Sequence, residues 1–420
     1  MNPKTKILMV QTSLSAGGAE KAMVSLLNTL PAEKYDIDLM LVSRSGLFYP
    51  QVPDWVKIID APLAFQCLSH KISDWRYYLR HPVLWFKKLK RTWTARHQHD
   101  IHFKQCLWQQ WSVDIPVMSN AYDVAYGGQE GACNYFVAEK VQAEQKILWI
   151  HNDYDKLGYS PAWDRAFFRK ATVIATMSPE AQAVLQRNFP ECHDRIWFLE
   201  NISNGRLIHQ LSEEPVVDVP FFTDSDGIRI LSMGRLSPQK NFTRAVHAAS
   251  ILKKKGIPFC WIVIGEGFER SKLELLVRQL DLEDHMRFIG MRSNPYPYLA
   301  QADMLVVSSD FEGRSIAIDE SQILGIPVIT TNYATAPDAV INNETGIICD
   351  MSAHHIASSI QLLHDDKALY LKIKSALQTR KDGNISELQK YELAFEGNGG
   401  KTHPGPPYRE GGQSCLLVGA

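Results

Sequence analysis

Two glutamates eight residues apart, Glu312 and Glu320, stand in the stretch DFEGRSIAIDESQILGIPVIT (310–330), which is otherwise suited to burial. A carboxylate near apolar surface costs free energy unless something polar meets it. Each carboxylate accepts more than one hydrogen bond, which makes the paired hydroxyls of a sugar or a ribose natural partners. If the intervening residues are helical, eight of them rise roughly 12 Å. That reach suits an extended ligand better than a proton shared between two acids. The N–H groups of Gly313, Arg314, Ser315 and Ile316 would then open the helix toward an anion lying between the two carboxylates.

Cations for such an anion occur in the same half of the chain. In MGRLSPQKNFTRAVHAASIL, Arg235 and Lys240 flank a loop between an apolar strand and a helix with Phe242, Ala245, Val246, Ala249 and Leu252 inward. Two cations beside a helix N-terminus suit a pyrophosphate, although a surface pair of charges would look the same in isolation. The next strand ends in IGEGFERSKL, where Gly265 and Gly267 would permit close backbone approach above a sheet, or form a plain loop. Far upstream, Gly17 and Gly18 stand in TSLSAGGAEKAMVSLL, where a strand passes into a helix. This is not G-x-G-x-x-G, so the dinucleotide fingerprint is absent, and a simple turn is the alternative.

The elements that must position these residues fall into two series. Apolar, β-branched runs at 6–13, 36–43, 56–62, 123–128, 146–152, 172–178 and 195–201 read as strands, several followed by a helix. A second series after residue 227 comprises IRILSMGRL, CWIVIGEG, MRFIGM, DMLVVSS, PVITTN and GIICD. Continuous apolar strands followed by helices predict parallel sheets covered on both faces, with ligands at the strands' carboxyl ends. The expected division is a first domain over 1–203, a linker over 204–227 and a second domain over 228–380. A crossing helix over 381–397 and a disordered Gly/Pro tail over 398–420 would follow.

Composition narrows the classes. Hydrophobic residues make up 45% and charged residues 22%, as in an ordinary soluble protein, and the net charge of -1 gives no pull toward nucleic acid. Seven scattered cysteines without a CxxC pair fit neither a disulfide framework nor a zinc site, and point to a reducing cytoplasm. The first residues carry too short an apolar run for a signal peptide, and no run of about 18 apolar residues exists for a spanning helix. Three D-x-D matches (Asp36/Asp38, Asp153/Asp155, Asp224/Asp226) invite a metal-dependent reading, but with 46 acids chance explains them. One segment breaks the pattern: residues 71–105 carry nine Lys/Arg against two Asp, interleaved with Trp75, Tyr77, Tyr78, Trp85, Phe86 and Trp93. Such a segment suits the headgroup region of an anionic membrane, or is an insertion whose aromatics pack on the domain.

In ordered combination, GGAEK (17–21), WIHND (149–153), GRLSPQKN (234–241), IGEGFER (264–270), EGRSIAIDE (312–320) and GIPVITT (325–331) resemble the retaining glycosyltransferases of family 4 over roughly residues 5–395. The resemblance implies the GT-B fold, in which two Rossmann-like doubly wound domains face each other across a cleft. It implies a nucleotide-sugar donor, a glycan or lipid-linked acceptor in surface or exopolysaccharide biosynthesis, and no metal cofactor. Glu320 would bind the ribose hydroxyls and Glu312 would face the donor sugar. Arg235 and Lys240 would neutralise the leaving diphosphate, Gly17 and Gly18 would line the cleft, and His151 would sit beside the sugar. Asp153 is a weaker acceptor-side candidate. The expected location is the cytoplasm, with peripheral contact at the inner face of the membrane through 71–105. A nucleotide-sugar epimerase or phosphorylase on a similar scaffold, and an inactive nucleotide-sugar-binding subunit, are the competing readings. A glycosidase, whose carboxyl groups flank one bond at about 5–9 Å, lacks a use for the cationic loop.

Overall fold

In the computed structural model the described residues are 3–15, 17–70, 72–98, 100–216, 227–312 and 315–397, with the backbone alone described for Trp75 and Arg76. The Gly/Pro tail and residues 217–226 of the segment read as a linker lie outside them.

All thirteen expected strands form. The first seven are β1 (Thr5–Gln11), β2 (Tyr35–Leu41), β3 (Lys57–Asp60), β4 (Ala121–Gly127), β5 (Gln142–Ile150), β6 (Val173–Thr176) and β7 (Ile196–Phe198). They make one parallel sheet in the order β3-β2-β1-β4-β5-β6-β7. The second series gives β8 (Ile228–Met233), β9 (Phe259–Ile264), β10 (Met286–Gly290), β11 (Met304–Val307), β12 (Val328–Thr331) and β13 (Gly346–Cys349). Its order, β10-β9-β8-β11-β12-β13, repeats the first. Each sheet therefore reverses direction beside its first strand, and the crevice outside that point is where open α/β sheets take ligands.

The two-faced burial explains why the strands read as unbroken apolar runs. In β1, Ile7 and Met9 belong to one hydrophobic cluster and Leu8 and Val10 to another on the opposite face. In β8, Ile230 and Leu231 divide in the same way. Side chains alternate across a strand, so covering both faces with helices makes every position apolar.

Two structural findings refine the expected boundaries. Within 204–227, Gly205–Ser212 is a helix capped by Asn204, whose side chain accepts from the Leu207 amide at 3.2 Å. Its Ile208 packs with Tyr296 and Ile323 of the second domain, so this stretch is a docked element. Of the expected crossing segment over 381–397, Leu388–Glu396 is α-helical. Tyr391, Ala394 and Phe395 enter the first domain's core, with Phe395 edge-on to Tyr35 at 5.8 Å and the Tyr391 hydroxyl donating to the Glu200 carbonyl at 2.9 Å. Where the chain passes between domains, its two crossings touch. A Cβ on Gly205 would lie 2.0 Å from the Lys381 carbonyl oxygen, and one on Gly383 would lie 1.9 Å from that of Ser203. Only glycine fits two backbones that close.

The insertion between β3 and β4 is helical: α2 (Leu63–Ser69), α3 (Trp75–Leu79), α4 (Pro82–His97) and α5 (Phe103–Trp111). The numbering α1 is kept for Gly18–Thr29, the helix after β1. The structure divides what the sequence presented as one cationic and aromatic face. Lys88 is buried and donates to the Cys67 and Leu68 carbonyls, both at 3.0 Å, closing the C-terminal end of α2. Arg91 lies 4.5 Å from the Trp111 ring centre and pairs with Asp114 at 2.8 Å. Tyr78 is buried as well. These residues hold the insertion to the domain and are not presented outward.

Candidate active site

The two sheets present the carboxyl ends of their first strands to one crevice of about 630 Å³, a volume suited to a small-molecule ligand. From the first domain it is lined by Gly17, Gly18, Lys21, Phe48 and Asn152. From the second it takes Arg235, Lys240, Gly267, Glu312, Ser315, Ile316 and Glu320, among others. Both cations and both glutamates singled out in the sequence thus meet across the same space.

Glu312 does not ride on the helix. The helix runs over Ile316–Ile323 only, so Glu312 lies before it, in the loop that follows β11. Glu312 accepts from Lys240 Nζ at 2.6 Å and from Ser309 Oγ at 2.5 Å. The cation expected to meet a diphosphate is therefore held by the carboxylate expected to face the sugar. Ser315 caps the helix position and is buried, with Ile316 and Ala317 also against the crevice. Gly313 and Arg314, expected to contribute amides here, lie outside the described residues.

Glu320 is only 2% exposed. It accepts from the Tyr296 hydroxyl at 2.8 Å and is ion-paired with Lys21, which stands in the other domain. The Lys21 ammonium also lies 5.0 Å from the Tyr296 ring centre. Burial, with the Glu320 charge adding to it, holds the Tyr296 phenol well above its ordinary pKa, so the hydroxyl is a donor at any working pH. Neither Lys21 nor Tyr296 was anticipated as a site residue. Lys21 was within reach of sequence reasoning, because it lies inside GGAEK one turn along α1 from the cleft glycines. Tyr296, in NPYPYL, carries no such signal.

The glycines divide by role. Gly18 meets the second domain, where an added Cβ would lie 3.8 Å from Ile316 Cδ1. At Gly265 and Gly267 an added Cβ would lie 1.9 Å and 2.2 Å from the Gly234 and Leu236 carbonyl oxygens. Both positions are glycine because the loops after β8 and β9 pack backbone to backbone, a structural reason distinct from ligand approach. Gly267 nonetheless lines the crevice.

His151 stands behind the crevice wall. Its Nε2 donates to the Gly128 carbonyl at 3.0 Å, its ring stacks on Trp149 at 4.8 Å, and its backbone amide donates to Glu130 at 3.0 Å. Its Nδ1 has no hydrogen-bond partner among the described residues. Burial lowers its pKa, against smaller opposing effects of Glu130 and the Gly128 carbonyl, so the ring is neutral. The next residue, Asn152, is the one that faces the crevice. Asp153 caps a short helix and pairs with Lys156 at 3.2 Å. Of the D-x-D matches, Asp38 accepts from the Tyr122 hydroxyl at 2.7 Å and Asp155 pairs with Arg187, while Asp224/Asp226 lies outside the described residues. Among the described residues no three His, Cys, Asp or Glu side chains come together as a metal site.

A further carboxylate belongs to the picture. Glu20, in the first turn of α1, has its pKa raised by burial, against its own backbone amide and Arg235 and with Glu130 adding to the rise. It brings a carboxylate to the positive end of α1, within the field of Arg235.

This geometry has counterparts. A family model described as glycosyl transferases group 1 matches residues 219–380, the second domain. The paired parallel sheets are the GT-B fold, shared with Anabaena Alr3699/HepE solved with UDP and glucose. That structure superposes with a TM-score of 0.64 over 93% of this chain and 99% of that one, at 15% identity. An uncharacterized glycosyltransferase of Haemophilus influenzae is 26% identical over 88% of this chain and 93% of its own. The N-acetylgalactosamine-N,N'-diacetylbacillosaminyl-diphospho-undecaprenol 4-alpha-N-acetylgalactosaminyltransferase of Campylobacter jejuni is 28% identical over 56% and 62%. The chain spans about half the length of the first curated relatives it matches. The second domain is thus similar to the group 1 glycosyl transferases, and the two sheets share the GT-B fold.

Proposed function

We propose that the chain is a retaining glycosyltransferase of family 4 that moves a hexose from a nucleoside-diphosphate sugar to a glycan or lipid-linked acceptor in surface or exopolysaccharide biosynthesis. The observation that carries this reading is the meeting of Arg235, Lys240, Glu312 and Glu320 in one interdomain crevice. The Campylobacter relative's named diphospho-undecaprenol substrate supports the lipid-linked acceptor.

In this reading the ribose hydroxyls bind Glu320, displacing Lys21. The diphosphate lies along Arg235, Lys240 and the N-terminal amides of Ile316–Ile323. The bond from the anomeric carbon to the β-phosphate oxygen breaks and its electron pair leaves with the nucleoside diphosphate. Positive charge on the sugar is met by Glu312, and the acceptor hydroxyl attacks from the face the phosphate leaves, giving its proton to the departing phosphate oxygen. Fixed dipoles and cations act on the leaving group without reorganising, and they make a divalent ion unnecessary. The enzyme would work in the cytoplasm, at the inner face of the membrane.

Thermal unfolding with UDP-, GDP- and ADP-sugars is the first test, since a ligand bound only to the folded state raises the midpoint. Stabilisation by one class of nucleotide, lost in Glu320→Gln, is the expected result. No stabilisation by any of them would overturn the reading.

A further inference from the structure

We propose that the outward face of α3 and α4 is a docking surface for an anionic lipid bilayer. Four large apolar side chains at the end of α3 and along α4, Leu79, Val83, Phe86 and Trp93, recur at helical spacing and are 71%, 68%, 65% and 65% exposed. Val83, Phe86 and Trp93 fall on one stripe of α4, and Leu79 ends α3 just before it. Lys90 and Arg96, both exposed, border it. The inward face is fully committed: Lys88, Thr92 and Ala95 are buried, and Lys87 and Arg91 are tied to Asp114. A surface helix in water ordinarily points such aromatic residues inward, so this one is built for a second apolar phase.

Charge selects the occupant. Arg80, Lys90 and Arg96 are exposed, whereas Lys88 is buried and Lys87 and Arg91 are paired with Asp114, so the free charge beside the stripe is cationic. An apolar stripe bordered by cations matches the boundary between anionic headgroups and acyl chains. A second copy of the chain would instead set one cationic face against another. Position agrees with the choice. The turn after α4 leans on the loop after β5: the His102 ring lies 4.8 Å from that of Tyr159, and Gln105 donates to the Ser160 carbonyl at 3.2 Å. That loop begins at Asn152 in the crevice wall. On the transferase reading above, on which this part rests, a bilayer touching the stripe would hold a lipid-linked acceptor beside the first domain's side of the cleft.

Flotation with phosphatidylcholine vesicles, with and without phosphatidylglycerol, tests the surface. The wild-type chain should float with phosphatidylglycerol vesicles and stay behind with phosphatidylcholine alone. Phe86→Glu/Trp93→Glu and Lys90→Glu/Arg96→Glu should each reduce binding roughly tenfold or more, with unfolding midpoints little changed because these side chains are largely exposed and touch only neighbours on their own helix. Failure of the wild type to bind anionic vesicles, or undiminished binding by both variants, overturns the proposal. So does a wild-type dimer without vesicle affinity that Phe86→Glu/Trp93→Glu turns into a monomer. Loss of nucleotide stabilisation with flotation intact would sink the transferase reading and leave the docking surface standing.

Discussion

Lys21 on α1 and Glu320 on the Ile316–Ile323 helix form an ion pair that joins the two domains across the crevice. It is one of few interdomain side-chain links described, beside Gln51 donating to the Ser293 carbonyl at 2.7 Å and Lys156 over the Phe311 ring at 5.8 Å. The cleft is thus spanned by the same carboxylate that the proposed ribose would use. A donor must compete with Lys21 for it.

Lys21→Ala leaves Glu320 with Tyr296 but without its cation. Breaking a buried pair from one side costs about 3 kcal/mol, because a charge stays behind uncompensated. The variant should unfold at lower temperature and, in small-angle scattering without ligand, show a larger radius of gyration. Adding Glu320→Gln should recover most of the midpoint. An unchanged radius and midpoint in Lys21→Ala would remove the latch from consideration.

Lys240→Ala should lower kcat by about 100-fold or more while the chain stays folded, since it removes one fixed charge aimed at the leaving group. Lys240→Arg keeps the charge and should retain more activity than the alanine variant. Steady-state assays with the donor found by thermal stabilisation decide this. Equal kcat in all three proteins would assign the Lys240–Glu312 pair to structure alone.

The half-buried, neutral ring of His151 makes stability depend on pH. Its folded pKa lies below the ordinary value of 6.5, so between that lower value and about pH 6.5 the unfolded chain binds more protons. Stability is fully present above about pH 6.5 and falls as the pH drops through that window. In His151→Asn the slope should flatten there, read as the unfolding midpoint from pH 7.5 to 5. An identical slope in both proteins would show that other groups carry it.

Phe395→Ala should destabilise the first domain by about 3 kcal/mol, the ordinary cost of truncating a buried aromatic residue. Phe395 lies on a helix contributed by the other half of the chain, so the loss would appear in hydrogen exchange of β1 and β2, far away in sequence. Unaltered exchange in those strands would contradict the packing described.

The strands were legible because burial on both faces writes an unbroken apolar run, as in Ile7–Val10, and the cleft residues were legible where motifs carried them, as with Arg235 and Lys240. What could not be read depends on contacts between distant segments. Nothing near Glu320 names Lys21, 299 positions upstream, as its partner. Gly265 and Gly267 look alike whether a ligand or a neighbouring loop needs the space. Lys88 and Lys90 look alike in sequence, yet one closes a helix inside the domain and the other faces solvent. The helix over Gly205–Ser212 was hidden by the Pro- and Asp-rich residues that follow it, which gave the whole stretch the composition of a linker.

The Leu388–Glu396 helix fills part of the first sheet's core, which has a bearing on synthesis at the ribosome. Strands β1–β7 emerge complete while Tyr35 still lacks Phe395 and Trp149 lacks Tyr391, whose ring stacks on it at 6.2 Å in the finished fold. The earlier half must therefore wait, with an apolar groove open to chaperones, until the entire second sheet has been translated and the chain turns back to seal it.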